Sequence, residues 1–405
     1  MISKSKKLFT DRLFNDSMVL SKRERVIRTL ELGDEPDVVP IHTLGFEPSA
    51  KSYEDFHNSE EYSKNKTVIK NSYSKVKYSW VGSVTQLRFW NSDCHVMDPF
   101  KAKVNLKTTH DPDYPGCAID TIAGRIFKIV PQEETGKPFL YYVGGYFKTP
   151  EILYSHWDKY GKPSELINDK VNYSPKVWEE FVETLAPYAY PMASNVFPLF
   201  EHLFEGMTIG RMAYYMRKKP QYIHEVLSEY TKVNLEVIKR LSEAGVDIFF
   251  YYDDLGLKGK SIISLENFRK FLLPYYKQIY QECRKHGMFV VQHSCGYVDK
   301  LLPDMVDAGL HCIQALEPAA GVDLAYLKET LGDHLCFMGG IDSSGILNFG
   351  TPQDIEKEVK RCIKAAGPGG GYFAGPSHNI LNVPWENVVA LRDAMVKYQK
   401  YPLKL

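Results

Sequence analysis

The chain has 405 residues, in which 50 Lys and Arg residues balance 50 Asp and Glu residues and leave a formal net charge of +0. This balance excludes the bulk positive charge of a typical nucleic-acid-binding protein and the negative excess of an acidic tail. Hydrophobic residues make up 44% of the chain and charged residues 25%, as is typical of a globular protein with a large core. We therefore expect no nucleic-acid partner.

The chain begins with a basic segment that lacks the apolar core of a signal peptide. Lys4, Lys6 and Lys7 are soon followed by Asp11 and Asp16, which interrupt any hydrophobic stretch. No later run approaches the ~18 consecutive apolar residues that a membrane span requires. The seven cysteines are scattered and odd in number, which fits reduced thiols better than disulfides. Together these features predict a cytoplasmic protein without a membrane partner.

The first half of the chain predicts helix–strand units separated by an inserted region. The helical patterns cover 22–32 and 175–185, and the apolar strands that follow them cover 38–43 and 193–199. Residues near 50–160 are rich in aromatic, Lys and turn residues, and 124–146 predicts a β-hairpin around Gly136. We interpret 50–160 as an elaborated N-terminal insertion.

The second half alternates apolar strands with amphipathic helices. The strands are expected over 246–254, 288–296, 312–318, 335–342 and 371–378. The helices between them are expected over 265–286, 297–308, 324–331 and 353–366. A glycine follows each helix, at Gly287, Gly309, Gly332 and Gly367, where we expect a left-handed cap. Apolar strands that alternate with helices indicate a parallel sheet covered by helices.

The number of strands favours a closed α/β barrel over a doubly wound open sheet. Five strands in the second half, two upstream and one more hidden between those two make eight. The sequence therefore predicts a (β/α)₈ TIM barrel. Because no low-complexity linker divides the chain, we expect residues 1–405 to form a single domain.

Polar residues follow the predicted strands at the end where barrel enzymes carry their active sites. They are Asp253, Asp254, His293, Cys295, Glu317, Asp342, Ser377 and His378. A strand-to-helix turn often contains Asp or Ser as a helix cap, so any single one of them could be structural. Their recurrence at five strand ends predicts a site for chemistry.

The segment 293–296, His-Ser-Cys-Gly, is the most specific of these patterns. Residues two apart in a strand project to the same side, so His293 and Cys295 can share one small target. Zinc accepts both ligand types, and a catalytic zinc needs a third protein ligand. We predict that His293, Cys295 and His378 bind the metal, with Glu317 behind His378. The alternative is a buried thiol beside a hydrogen-bonded histidine.

Two further strand ends carry carboxylates. Adjacent strand residues point in opposite directions, so we expect Asp254 to face the pocket as an acid–base group and Asp253 to cap a helix. The segment 339–342 combines glycines with a carboxylate, so Gly340 and Asp342 are candidate cofactor-binding residues. A tight strand-to-loop turn would explain the same two residues.

These motifs together resemble the uroporphyrinogen decarboxylase superfamily, which also contains corrinoid:thiol methyltransferases. The similar segments are 21–26, 36–40, 198–201, 253–256, 273–275, 293–296, 302–303, 316–318, 339–342, 350–352 and 369–380. The resemblance covers most of the chain and implies the barrel fold of that superfamily.

The resemblance is closer to the methyltransferase branch. Uroporphyrinogen decarboxylase binds its many carboxylates with an arginine-rich segment after the first strand, whereas this chain has no arginine between Arg28 and Arg88. The methyltransferases have an HxC zinc site at the strand end that contains His293 and Cys295. Their third zinc ligand is a cysteine near the last strand, where this chain has His378. Either His378 replaces that cysteine or the metal site is incomplete.

The leading hypothesis is a zinc-dependent methyltransferase that moves a methyl group between a small molecule or thiol and a corrinoid on a partner protein. Asp254, Glu317 and His378 would be its catalytic or supporting groups. One alternative is a metal-free decarboxylase of a small or tetrapyrrole acid, in which His378 and Asp254 assist protonation of the product. Another is a non-catalytic barrel that binds a tetrapyrrole or a corrinoid protein. A homodimer is one option for its assembly.

Overall fold

A computed structural model describes residues 19–67, 83–97, 106–108, 112–131, 133, 136, 138–165, 175–195 and 197–404. The strands in chain order are β1 (Cys94–Met97), β2 (Leu106–Thr108), β3 (Ala118–Asp120), β4 (Arg125–Pro131), β5 (Pro138–Gly145), β6 (Tyr190–Ser194), β7 (Ile248–Tyr252), β8 (Gly256–Leu257), β9 (Lys260–Ser261), β10 (Phe289–Ser294), β11 (Cys312–Ala315), β12 (Cys336–Ile341) and β13 (Tyr372–Pro376).

The helices in the first part of the chain are α1 (Lys22–Glu31), α2 (Lys51–Asn58), α3 (Glu60–Asn65), α4 (Ser83–Trp90), α5 (Pro150–Tyr160), α6 (Pro175–Leu185), α7 (Leu199–Met207), α8 (Ile209–Lys218) and α9 (Pro220–Glu243). Those in the second part are α10 (Leu265–Asn267), α11 (Leu273–Lys285), α12 (Leu302–Ala308), α13 (Leu324–Leu331), α14 (Ile346–Phe349), α15 (Pro352–Ala366) and α16 (Trp385–Tyr398). A π-helical turn, Phe268–Leu272, joins α10 to α11.

The core of the fold is a curled parallel sheet of seven strands in the order β1-β6-β7-β10-β11-β12-β13. Its strands are apolar on both faces because both faces are covered. Phe250, Val291 and Met338 pack together in the smaller of two buried clusters. The neighbouring residues Phe249 and Val290 belong to the larger cluster, which includes the helices. This two-sided burial explains the continuous apolar runs in the sequence.

The segment around Ile41 connects the two edge strands of this sheet. Ile41 forms a parallel bridge with Ala374 of β13, and His42 forms one with Cys94 of β1. The His42 amide donates to the Ala374 carbonyl at 2.9 Å. The parallel pairing therefore continues from β13 through this segment to β1, which is consistent with the predicted (β/α)₈ barrel. Strand β1 fills the position that the sequence left unassigned.

Some boundaries and caps differ from the sequence predictions. The strand expected over 193–199 is Tyr190–Ser194, and the chain is already helical from Leu199. Gly287 and Gly309 have the expected left-handed backbone, with φ of 69° and 112°. The same prediction is wrong for Gly332 and Gly367, whose φ values are −63° and −67°. Both glycine amides still donate to the carbonyl four residues earlier, so the backbone remains right-handed at these positions.

A four-stranded antiparallel sheet, β2-β3-β4-β5, lies within the inserted region. Strands β4 and β5 pair from Arg125 opposite Gly145 to Pro131 opposite Pro138, around the position where the sequence predicts a hairpin. Strand β5 also approaches α7 closely. A side chain at Gly145 would place its Cβ 2.5 Å from the Gly206 carbonyl oxygen, so only glycine fits there. The interpretation of the whole chain as one domain stays a prediction.

Within the described residues, we find no helix whose length and apolar character would let it cross a bilayer.

Asp253 fixes the start of α7 at the carboxyl end of β7. Helix α7 has no cap from its own preceding residue, Pro198. Instead, the fully buried Asp253 carboxylate accepts hydrogen bonds from the amides of Leu199, Phe200 and Glu201, at 2.8–3.0 Å. The Tyr276 hydroxyl donates a further bond at 2.7 Å. Asp253 therefore caps a helix, as the sequence predicted.

We expect Asp253→Ala to lower the free energy of unfolding by about 3 kcal/mol or more, because several buried donors lose their acceptor. Asp253→Asn keeps one acceptor oxygen and should cost less. Urea unfolding of both variants checks the prediction. A loss below about 0.5 kcal/mol for the alanine variant would show that the cap contributes little.

Candidate metal and substrate site

The candidate site lies where β7, β10 and β11 reach their carboxyl ends. His293 lies near the end of β10, opposite Tyr252 of β7 on one side and Gln314 of β11 on the other. Asp254 lies two residues beyond the end of β7, and Cys295 comes directly after β10. Because parallel strands end at the same edge of the sheet, these side chains come together.

Three ligand atoms converge at this edge. The His293 Nε2 atom lies 3.4 Å from the Cys295 sulfur and 3.5 Å from Asp254 Oδ1. All three atoms lie within 4.8 Å of one another, and in the described part of the chain no other set of three or more His, Cys, Asp and Glu residues does so. The structure thus joins two predicted metal ligands with a residue predicted as an acid–base group.

Backbone hydrogen bonds hold these side chains in place. The Cys295 amide donates to Asp254 Oδ1 at 2.8 Å, and the Gly296 amide donates to Glu317 Oε2 at 2.7 Å. Gly296 has a φ of 78°, and a Cβ there would lie 2.3 Å from the Gly256 backbone. Only glycine allows the loops after β7 and β10 to approach so closely.

The backbone after β11 is strained. Ala315 and Leu316 have φ values of 103° and 58°, which residues with a side chain rarely adopt. These residues lie between Gln314 and Glu317, two residues whose side chains reach the site. Strain of this kind persists only where the surrounding structure enforces it. The side chains on either side of it bond to the end of β10, Gln314 to His293 and Glu317 to the Gly296 amide.

The donor set fits a zinc ion. With Zn–N, Zn–O and Zn–S bonds of ~2.0–2.3 Å, tetrahedral ligand atoms lie about 3.4–3.6 Å apart. The separations from His293 Nε2 to the Cys295 sulfur and to Asp254 Oδ1, 3.4 and 3.5 Å, match that spacing. A thiolate, an imidazole and a carboxylate are all ordinary zinc ligands.

The electrostatics of the site also favour a cation. Burial raises the pKa of the Cys295 thiol well above its usual range, and the carboxylates of Asp254 and Glu317 raise it further. Burial likewise raises the pKa of Glu201 to about 8, with Asp254 as the next contributor. Arg125 counters this negative charge only in part, because it also pairs with neighbouring carboxylates. A bound metal ion would stabilise the charged forms of these groups.

A cavity of about 380 Å³ adjoins the ligand atoms. It is lined by Leu44, Val96, Ser194, Asn195, Tyr252, His293, His378 and Asn379. Its volume lies at the lower end of the range for small-molecule sites, which favours a small substrate.

His378 lines this cavity, as His293 does, and lies outside the group of three converging atoms. Burial lowers its pKa, and the neighbouring His293 lowers it further. The sequence predicted His378 as the third ligand; the structure instead brings Asp254 together with His293 and Cys295, and a ligand role for His378 stays a prediction. The physical reason is the Cys295 amide, which fixes the Asp254 carboxylate next to the thiol and imidazole.

Gly340 and Asp342, predicted to bind a cofactor, are occupied by contacts within the fold. The Asp342 carboxylate accepts hydrogen bonds from the amides of residues 344–346 and caps α14. The Gly340 carbonyl accepts a bond from the Cys362 thiol. Asp342 lines a separate surface depression rather than the cavity beside His293. These contacts fit the alternative of a tight strand-to-loop turn, and cofactor binding by Gly340 and Asp342 stays a prediction.

Sequence reasoning missed Gln314, Glu201 and Arg125. Gln314 could have been noticed, since a glutamine in the otherwise apolar strand Cys312–Ala315 is unusual. Glu201 and Arg125 are far apart in sequence and meet because β4 packs against α7, so no local pattern could reveal them.

Comparison with known proteins identifies relatives of two kinds. Residues 193–398, which include Asp254, His293, Cys295 and Glu317, match the family model described as uroporphyrinogen decarboxylase (URO-D). A methylated-thiol–coenzyme M methyltransferase from Methanosarcina mazei is 25% identical over 45% of this chain and 46% of its own length. A uroporphyrinogen decarboxylase from Chlorobium phaeovibrioides is 26% identical over 45% of this chain and 52% of its own. The matched region thus spans about half the length of these curated relatives.

A solved structure also resembles the whole chain. A methyltransferase from Methanosarcina mazei superposes with a TM-score of 0.60 and 16% identity, over 94% of this chain and 99% of the other. At this identity the likeness concerns the fold alone.

The raised pKa of Cys295 predicts slow alkylation of this thiol in the metal-free protein. Because the thiolate is the reactive form, the iodoacetamide rate should still rise with pH above 9, where an ordinary cysteine has levelled off. The six other cysteines are buried, so mass spectrometry can follow Cys295 by itself, with Cys295→Ser as the blank. A rate that levels off below pH 9 would contradict the prediction.

The raised pKa of Glu201, about 8, predicts a pH-dependent loss of stability in the metal-free protein. The unfolded glutamate loses its proton near pH 4.3, whereas the folded one keeps it to about pH 8, so stability should fall as pH rises between these values. Glu201→Gln removes this effect and should be more stable than the wild type by at least about 1 kcal/mol at pH 8, but not at pH 4.

Glu229→Gln is the matched control for that measurement. Its side chain is buried, but hydrogen bonds from Lys232 and Ser164 lower the pKa of Glu229. The lowered pKa stabilises the fold above about pH 4, so this variant should be less stable than the wild type at pH 8. Urea unfolding at pH 4 and pH 8 checks the expected gain in stability of Glu201→Gln and the expected loss of stability of Glu229→Gln. If the stability differences of Glu201→Gln and Glu229→Gln from the wild type changed with pH in the same direction, the raised pKa of Glu201 would be contradicted.

Proposed function

The chain belongs to the uroporphyrinogen decarboxylase (URO-D) family, and from this premise we propose that it is a zinc-dependent methyltransferase. It would move a methyl group between a small molecule or thiol and a corrinoid carried by a partner protein. The observation that supports this proposal is the convergence of the Asp254, His293 and Cys295 ligand atoms. The sequence relationship to a methylated-thiol–coenzyme M methyltransferase points the same way.

Asp254, His293 and Cys295 would hold the zinc. Zinc at this position would lower the pKa of a substrate thiol or hydroxyl and make it nucleophilic near neutral pH. The main-chain bonds to Asp254 and Glu317 would keep both carboxylates oriented toward the ligand atoms. Preformed geometry of this kind lowers the cost of binding and of reaching the reacting arrangement.

His378, which lines the cavity, would accept the substrate's proton. Because its pKa is lowered, the His378 imidazole is neutral at physiological pH and can accept a proton. When a thiol or alcohol accepts the methyl group, its proton would pass to His378 while the heteroatom forms the new bond to the methyl carbon; the bond from that carbon to the methyl donor would break, and its electron pair would leave with the donor. In the opposite direction, His378 would return a proton to the leaving heteroatom.

A decarboxylase is the second candidate, and one observation favours it. With its pKa raised to about 8, Glu201 keeps a proton at neutral pH and could deliver it to a carbanion after carbon dioxide leaves. The relative named uroporphyrinogen decarboxylase is consistent with this reaction. Against a porphyrinogen substrate, the segment after the first strand lacks the arginines that would bind many carboxylates.

Metal content and methyl transfer test the proposal together. We expect one zinc per chain, and turnover between methylcobalamin and a panel of small thiols and alcohols. Cys295→Ala should lose the zinc and at least about 100-fold in rate, because a direct ligand is removed. The buried Cys283 of α11 offers the control, and Cys283→Ala should keep both.

The other outcomes separate the alternatives. Carbon dioxide release that survives chelation would replace the methyltransferase with the decarboxylase. Wild-type protein that binds no zinc under saturating metal would remove the proposal. No turnover of either kind, together with binding of a tetrapyrrole, would favour a non-catalytic barrel.

A further inference from the structure

We infer that Gln314 is a positioning residue that fixes the tautomer and orientation of His293 and so sets the affinity of the metal site. This inference rests on the proposed function, because it assigns Gln314 a task at the same site. It adds a residue from a neighbouring strand that touches neither substrate nor metal.

Gln314 and His293 are neighbours in the sheet. They occupy paired positions on β11 and β10, and both are buried. In a parallel sheet, paired residues project to the same face, so their side chains lie next to each other. The imidazole Nδ1 of His293 forms a hydrogen bond with Gln314 Oε1.

This contact selects one form of the imidazole. An amide oxygen can only accept a hydrogen bond, so His293 must carry its proton on Nδ1. The Nε2 atom then presents a lone pair toward the Cys295 sulfur and Asp254 Oδ1, 3.4 and 3.5 Å away. That is the form in which a histidine binds a metal. In the other tautomer, a proton on Nε2 would occupy the space between the ligand atoms.

Stability does not explain why a glutamine stands at this position. The Gln314 amide nitrogen is buried and has no hydrogen-bond partner among the described residues. A half-satisfied amide inside an apolar core is unfavourable compared with an apolar residue of similar size. We therefore attribute the glutamine at this position to its side-chain oxygen, which bonds to His293. The strand register, with Gln314 paired to His293, places it there.

Gln292 provides a matched control on the adjacent strand. It is as buried as Gln314, and its amide nitrogen also lacks a partner within the described residues. Its oxygen accepts a hydrogen bond from Tyr280 of α11, on the outer face of β10. Substitution of Gln292 thus removes a similar buried bond without touching His293.

The experiment measures zinc affinity by competition with a chromophoric chelator, using the full-length chain. Gln314→Leu should bind zinc about 10- to 100-fold more weakly than the wild type. Gln314→Glu keeps an acceptor for Nδ1 and should remain within about 3-fold, as should Gln292→Leu. Equal affinities for the two leucine variants would overturn the inference. Thermal melts of the metal-free proteins show whether each variant is folded.

A second measurement is independent of zinc. Nitrogen-15 NMR of the metal-free wild type should show the His293 proton on Nδ1, and Gln314→Leu should shift the population toward Nε2. A wild-type proton on Nε2 would overturn the inference even if zinc binds. If the wild type binds no zinc, the proposed function fails, while the NMR result still decides the role of Gln314.

Discussion

The site depends on hydrogen bonds between neighbouring strand ends. The Cys295 amide holds the Asp254 carboxylate, and the Gly296 amide holds Glu317. In each case a backbone donor after β10 orients an acidic side chain from the strand beside it. Because the donors belong to the backbone, the acids are placed by the architecture of the sheet rather than by mobile side chains. This arrangement brings negative charge to a thiol and an imidazole before any ligand arrives.

The same concentration of acids creates an electrostatic cost. Burial, with the nearby carboxylate of Asp254, raises the pKa of Glu201, and burial with the carboxylates of Asp254 and Glu317 opposes ionisation of Cys295. Arg125 reaches this region from β4 and pairs with Asp120 and Glu205. The antiparallel sheet thus contributes the positive charge of Arg125 near the end of the parallel sheet. The segments after the parallel strands contribute the negative charges of Asp254 and Glu317. This gives the inserted region a physical role at the site.

Much of the architecture could be predicted from the sequence. The apolar runs located six of the strands and the motif His-Ser-Cys-Gly at the end of one, because two-sided burial leaves a local signal. Strand periodicity also separated Asp253, which caps α7, from Asp254, which faces the ligand atoms. The proximity of Asp254 to His293 and Cys295 could not be predicted, since it depends on a hydrogen bond between two strand ends. Gln314 escaped notice for a similar reason, because its partner lies on β10.

Closure of the sheet involves both ends of the described chain. Val39 bonds to the Gln399 carbonyl, His42 to Ala374, and Phe46 bridges to Ile380. Leu44 and His378, which belong to these paired segments, both line the cavity. These contacts are among the most distant in sequence, and such contacts are slow to form during folding. The cavity therefore acquires its full lining only when segments from the two ends of the described chain have come together.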